Sequence, residues 1–153
     1  MSITEIPESI REEHEEIFSG LRRLANTGGG TGKAVRELLE VLEPHFEKED
    51  EIAMPLLGAV ARISNGQTQK GLDEVISLQS RLAEGLPSML AEHRAIGERI
   101  AKTRDAAEKE KNMEALSLLT GLQHHAKMEE EVLYPAAMLA GVAARTMKEA
   151  ASA

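Results

Sequence analysis

His45 precedes Glu49, and His125 precedes Glu129, by four residues, slightly more than one turn of an α-helix. On a helix, each pair projects an imidazole and a carboxylate toward one point. His14 and His93 stand alone on other segments. All four histidines fall in phase with apolar residues: His14 with Ile10, Ile17 and Leu21; His45 with Leu42 and Ile52; His93 with Met89 and Ile96; His125 with Leu122 and Val132. Four of the five histidines in the chain therefore face inward. A single inward histidine is ordinarily a satisfied core side chain, but four of them with two glutamates need another account. A buried ionised carboxylate costs several kcal/mol unless paired, and no Lys or Arg falls in the central stripe beside Glu49 or Glu129. A metal ion supplies the missing positive charge. With no cysteine in the chain, nitrogen and oxygen are the strong ligand atoms. Glu47, Lys48, Asp50 and Glu51 lie off the stripe and read as a solvated face.

The pattern repeats. His45, Glu49 and Pro55 recur as His125, Glu129 and Pro135 at an offset of 80, and EHEEI (Glu13 to Ile17) recurs as EHRAI (Glu92 to Ile96) at an offset of 79. A helical hairpin duplicated about a pseudo-twofold axis brings both half-sites to the same depth, a geometry that suits two metals bridged by two carboxylates. Sharing four imidazoles between two ions, with Glu49 and Glu129 bridging, gives each ion two nitrogens and two oxygens. Coordination is then incomplete, as in carboxylate-bridged pairs that bind dioxygen, nitric oxide, peroxide or a bridging hydroxide. Imidazole plus carboxylate suits iron first, with manganese or zinc as alternatives.

The elements that must position these groups are helices. Aromatic residues make up only 2% of the chain, and Ala, Leu, Glu, Ile and Met dominate. Pro7 opens a first helix that runs to Asn26 and Thr27. TGGGTG, residues 27–32, is expected to be a flexible connection; it lacks the Ser or Thr and the preceding strand of a phosphate loop. A second helix is expected from Lys33 to Ile63, bent or interrupted at Pro44 and Pro55, and a third from Gln69 to Glu110 with a kink or break at Pro87. The fourth starts near Asn112, carries Leu118, Leu122, Val132, Ala136 and Leu139 inward, and ends its main part at Gly141, with 142–153 as a tail. The sum is an all-α, up-and-down four-helix bundle in a single domain over residues 1–153, with its core at about 5–141. Eighteen Lys and Arg against 26 Asp and Glu leave a net charge of −8, which argues against nucleic-acid or anionic-membrane partners. No signal-peptide pattern or long apolar run is read in it, and a cytoplasmic location is expected.

The ordered set H, HxxxE, H, HxxxE with its trailing proline resembles the hemerythrin-like, or HHE cation-binding, family, over roughly residues 5–141. The resemblance implies a four-helix bundle with a non-haem di-iron centre. It implies binding of oxygen or a related small ligand (nitric oxide, peroxide) for carriage, sensing, storage or stress protection, and His14, His45, Glu49, His93, His125 and Glu129 as ligands. Oxygen-carrying members have a further histidine four residues after that of the third helix, where this chain has Gly97. Their fourth-helix acid is an aspartate five residues after its histidine, whereas Glu129 follows His125 by four. The chain thus falls nearer the more symmetric members, with ligand access expected on the Gly97 side, since Gly97 has the bulky Phe18 as its repeat counterpart. His124 reads as a surface residue, Glu130 and Glu131 as weaker competitors of Glu129, and Tyr134 as packing. A ferritin-like site needs Glu-x-x-His, and Leu42 and Leu122 occupy the glutamate positions. A histidine phosphotransfer module needs HxxKG, and Met128 replaces the glycine. A binding protein is the leading reading, and a di-iron oxidoreductase acting on peroxide or nitric oxide the second.

Overall fold

The computed structural model describes residues 2–67 and 70–153, so the expected start of the third helix at Gln69 lies outside the described residues. Among those residues the chain is helical throughout: α1 (Glu8–Ala25), α2 (Gly29–Ile52), α3 (Met54–Ser64), α4 (Leu72–Lys109), α5 (Met113–Met128), a π-helical turn (Glu129–Leu133) and α6 (Tyr134–Ala151). Pro7 precedes α1 in extended conformation, and Glu8 in the first turn with Arg22 and Arg23 in the last match the helix dipole. The connections between α1 and α2 and between α4 and α5 are short, which makes neighbours antiparallel. Contacts along the helices confirm it: Arg22 meets Glu43 and His14 meets Asp50 across α1 and α2, and Arg104 meets Gln123 across α4 and α5 with His93 meeting Glu130 just beyond α5. α1 packs on α2 and α5, α4 on α2, α5 and α6, and α3 on α6. This is a helical bundle in up-and-down order.

The glycine-rich segment is not a slack connection. α2 begins inside it, at Gly29, because the Glu110 carboxylate from the end of α4 accepts from the Thr31 N–H at 2.5 Å and from Thr31 Oγ1 at 3.0 Å, filling the donors that a helix start leaves open. Gly32 is required there, since a Cβ would lie 2.1 Å from the Thr27 carbonyl oxygen. Pro44 lies inside an unbroken α2 and Pro87 inside an unbroken α4, so neither interrupts its helix. The break comes at Ala53, ahead of Pro55 in the first turn of α3, where a missing donor costs nothing.

The fourth helical rod departs most from its expected phase. In the π-helical turn the Tyr134 N–H reaches back five residues to the Glu129 carbonyl, adding one residue to that turn. Everything beyond it is rotated. Val132 and Leu139, expected to face inward, are 55% and 64% exposed, while Tyr134, Ala137, Ala140 and Ala144 are buried. Nor does Gly141 end the helix: α6 continues to Ala151, so most of the tail is helical. Gly141 is a close-approach position, where a Cβ would lie 2.1 Å from Cγ of Gln79.

Two apolar clusters fill the bundle. One holds Leu21, Leu24, Leu38, Leu42, Phe46, Ile96 and Leu122, and the other Ile52, Met54, Leu56, Leu82, Met89 and Tyr134. Along α2, along α4 and along the rod of α5 and α6, the inward histidines fall between residues of one cluster and those of the other, so a polar layer crosses an otherwise dry interior. The π-turn register is testable. Leu139→Lys should change the unfolding free energy by less than about 0.5 kcal/mol, whereas Ala140→Leu should cost about 1–3 kcal/mol by overpacking. Chemical denaturation of the two variants measures this, and the reverse ranking would restore the uninterrupted α-helical phase.

Candidate metal centre

Each rod of the bundle delivers ligand-type side chains to the polar layer: His14 from α1, His45 and Glu49 from α2, His93 from α4, and His125 from α5 with Glu129 one turn on. All six are buried, with Glu49 at 0% and Glu129 at 1% exposure. Their inner atoms converge. His45 Nε2 and His93 Nε2 are 2.9 Å apart, and His14 Nε2 and His125 Nε2 are 3.1 Å apart. Glu49 spans both imidazole pairs, with Oε1 2.9 Å from His45 Nε2 and Oε2 3.8 Å from His14 Nε2. Glu129 Oε1 does likewise, 3.3 Å from His125 Nε2 and 3.6 Å from His93 Nε2. Two four-residue groups result, His14, Glu49, His125, Glu129 and His45, Glu49, His93, Glu129, each with its donor atoms within 4.8 Å and both carboxylates in common.

Behind each imidazole stands an acid. Glu92 Oε2 accepts from His45 Nδ1 at 2.8 Å, and Glu130 Oε1 accepts from His93 Nδ1 at 2.8 Å. Asp50 Oδ1 lies 3.4 Å from His14 Nδ1 and Glu13 Oε1 lies 3.1 Å from His125 Nδ1, close enough to attract but out of line for a hydrogen bond. A carboxylate behind Nδ1 fixes the proton there and turns Nε2 inward, the arrangement that orients histidine ligands at metal sites. In neutral rings the Nε2 atoms of His45 and His93 would then oppose lone pair to lone pair at 2.9 Å. Only a positive charge makes that contact favourable.

The electrostatics say the same. Burial pushes Glu129 up to about 11, reinforced by its hydrogen bond with Glu49 and by the charge on that neighbour. Glu49 is held well below the ordinary carboxylate range, because hydrogen bonds with His45, His93 and Glu129 outweigh the opposing effect of burial. One carboxylate keeps a proton and the other does not. Burial lowers His45 and His93, but hydrogen bonds to Glu49, Glu92 and Glu130 outweigh it and leave both raised. Glu92 is lowered despite its partial burial, by the Lys48 ammonium 2.7 Å away and by His45. Two oxygens, Glu49 Oε2 and Glu129 Oε2, are buried without a hydrogen-bond partner, a penalty of about 1–3 kcal/mol each. Four imidazole nitrogens and two carboxylates with such orphan oxygens fit a metal ion of intermediate hardness.

Several residues here lay outside the expected set. Tyr134, expected to be packing, donates its hydroxyl to Glu49 Oε1 and lies 3.2 Å from His93 Nε2; the π-helical turn brings it inward. Asp50, expected on a solvated face, serves His14, and Lys48 anchors Glu92. The sequence did carry a signal, because these acids obey the same repeat: Glu13 and Glu92 each precede an inward histidine, and Asp50 and Glu130 each follow an inward glutamate. Glu131 is exposed and pairs with Lys127, and His124 is exposed, as its surface reading anticipated.

The bundle and its His/Glu layer define a helical protein with a buried site suited to cations. Residues 5–78 match the family model of the hemerythrin HHE cation binding domain, and this stretch of the chain resembles that family. The matched stretch contains His14, His45 and Glu49; the fold brings His93, His125 and Glu129 to them from beyond it. Searches of curated proteins and of solved structures give no significant match. Among the described residues no helix is long and apolar enough to cross a membrane.

Metal uptake should release protons. Glu129, protonated at pH 7, and the raised His45 and His93 must be deprotonated to ligate, so apparent affinity should fall as pH falls from about 8 to 6. Calorimetric titration with Mn(II) or Zn(II) in buffers of different ionisation enthalpy counts these protons, and uptake without release would contradict this electrostatic picture.

Proposed function

We propose that this chain is a non-haem di-iron protein that binds dioxygen or a related small ligand, nitric oxide or peroxide, for sensing, storage or stress protection. Its metal ligands in this reading are His14, His45, Glu49, His93, His125 and Glu129, with manganese or zinc as alternative metals. The observation that carries it is the sharing of Glu49 and Glu129 by two otherwise separate histidine pairs, which suits two ions with two bridging carboxylates. We read the chain as one hemerythrin-like domain built from a duplicated helical hairpin. The offsets of 79 and 80, which the outer acids also obey, support that reading.

When bound, the iron pair supplies Lewis acidity and redox capacity at positions open to a small ligand. The chain's own residues do the rest. Glu92 and Glu130 hold the rings of His45 and His93 with Nε2 inward, while Asp50 and Glu13 attract Nδ1 of His14 and His125. The apolar clusters above and below exclude water and strengthen every charge interaction inside. Tyr134 places a buried O–H donor beside Glu49 and His93. Burial and the Glu49 and Glu129 charges push its pKa up, so it acts as a hydrogen-bond donor; a donor placed to hold a bound peroxide or nitric oxide is what favours the second reading, an oxidoreductase acting on either. Phosphotransfer stays the weaker reading: its histidine would be the exposed His124, but Met128 stands where the HxxKG pattern needs its glycine.

Elemental analysis of anaerobically prepared protein should find about two metal ions per chain, as two groups sharing two carboxylates require. Optical spectra of the reduced protein should respond to oxygen, nitric oxide or peroxide. Less than one metal per chain, or no response to any of the three, would sink the proposal. Metal should also raise the melting temperature of the wild type but not of Glu49→Ala, which loses an oxygen donor to both groups. Tyr134→Phe should keep the metal and alter the ligand-bound spectrum; an unaltered spectrum would return Tyr134 to packing.

A further inference from the structure

The two imidazole pairs have like ligands but unlike covers. On the α1–α2 side the Phe46 ring stacks on His14, with centroids 4.1 Å apart and planes inclined by 13°. Phe46 is itself 2% exposed and is held edge-on by Phe18 at 4.9 Å, over which the Arg22 guanidinium lies at 5.1 Å. A three-layer plug therefore stands behind His14, and anything arriving from that side must displace a packed ring.

The α4–α5 seam presents the same backbone relationship without the plug. His93 leans on Glu130 of the π-helical turn that follows α5, as His14 leans on Asp50 of α2. At the repeat positions of Phe46 and Phe18, however, stand Ala126 and Gly97. A Cβ on Gly97 would meet nothing within 4 Å, and the residue is exposed. On this seam the Glu130 side chain, itself 44% exposed, lies 2.8 Å from His93 Nδ1. The side chains of His14 and His93 are comparably shielded, at 6% and 4% exposure; His93 too has a ring beside it, the buried Tyr134 at 5.6 Å, so the difference lies in the outward cover, a packed phenylalanine pair behind His14 and the half-exposed Glu130 behind His93. Exposed side chains change rotamer in picoseconds to nanoseconds, whereas displacing a core ring needs local opening.

We infer that small exogenous ligands, diatomics and triatomic anions, enter along the α4–α5 seam past Gly97 and Ala126 and reach the His45/His93 half of the site, while Phe46 and Phe18 keep the His14/His125 half closed. The inference rests on the dinuclear reading above. Tyr134 donates into the same half, so an entering ligand meets the one hydroxyl of the site first.

Azide is the probe, added to metal-loaded protein and followed by stopped-flow absorbance, with metal content and melting temperature measured on each variant. Gly97→Phe fills open space on a helix surface and should fold; it should slow azide binding by about tenfold, because the ligand must then wait for a ring to move. Ala126→Phe should slow it further. Phe18→Ala, on the closed side, should leave the rate within about twofold of wild type. An unchanged rate in Gly97→Phe with full metal content, or acceleration in Phe18→Ala, overturns the inference alone. A wild-type chain that retains no metal overturns it together with the dinuclear reading, and metal content tells the two failures apart.

Discussion

Two carboxylates side by side in a dry interior form the constraint on which the rest of this structure depends. Glu49 and Glu129 cannot both be ionised there without a compensating charge, since each loses its hydration and each repels the other. The protein alone answers with one shared proton and two histidines whose pKa is raised, an arrangement that still leaves an oxygen of each glutamate without a partner. A bound cation answers with all donors engaged. The same six groups are thus a poor hydrogen-bond network and a good ligand set, which makes the metal reading stronger than a count of histidines does.

Orientation is the second half of that argument. Imidazoles confined only by apolar neighbours could turn either nitrogen inward. The acids behind Nδ1 remove the choice, and three of them sit near the surface, with side-chain exposures of 47% for Asp50, 44% for Glu130 and 42% for Glu13. Exposed ion pairs contribute little stability. Their effect here is on direction rather than on folding energy, so part of the chain's acidic surface belongs to the site. Glu92 differs, being tied to Lys48 and partly buried, and it gives His45 the most firmly held ring.

Much of this was legible in the chain itself. Periodicity located the four rods, and the recurrence of a histidine in each apolar stripe, with a glutamate four residues on in two of them, identified all six converging residues. What escaped was set by contacts distant in sequence or by a departure from 3.6 residues per turn. The start of α2 depends on Glu110, which is 79 residues from Thr31, and no local propensity encodes that contact. Val132, Leu139 and Tyr134 were assigned to the wrong faces because a helical wheel carries its phase through Glu129–Leu133, where the chain inserts one residue. Asp50 and Glu130 looked like solvent-facing acids because helical position tells which way a Cβ points, not how far a side chain reaches around the helix toward a neighbouring ring.

The π-helical turn makes the surroundings of the two sides of the layer differ despite a shared His/Glu pattern. Pro55 and Pro135 impose the same problem in each half, since neither can donate to the carbonyl four residues back and each ring crowds that carbonyl. In the first half the helix stops at Ala53 and restarts, which places Met54 in the core. In the second the helix widens by one residue and continues, which places Tyr134 at the corresponding position. A thioether cannot donate a hydrogen bond, and a phenol can. The two responses to one backbone defect therefore leave a hydrogen-bond donor beside Glu49 and His93 with no counterpart beside His14. The His/Glu pattern is common to both sides of the layer, whereas the asymmetry around it arises from a proline and from the helix that accommodates it.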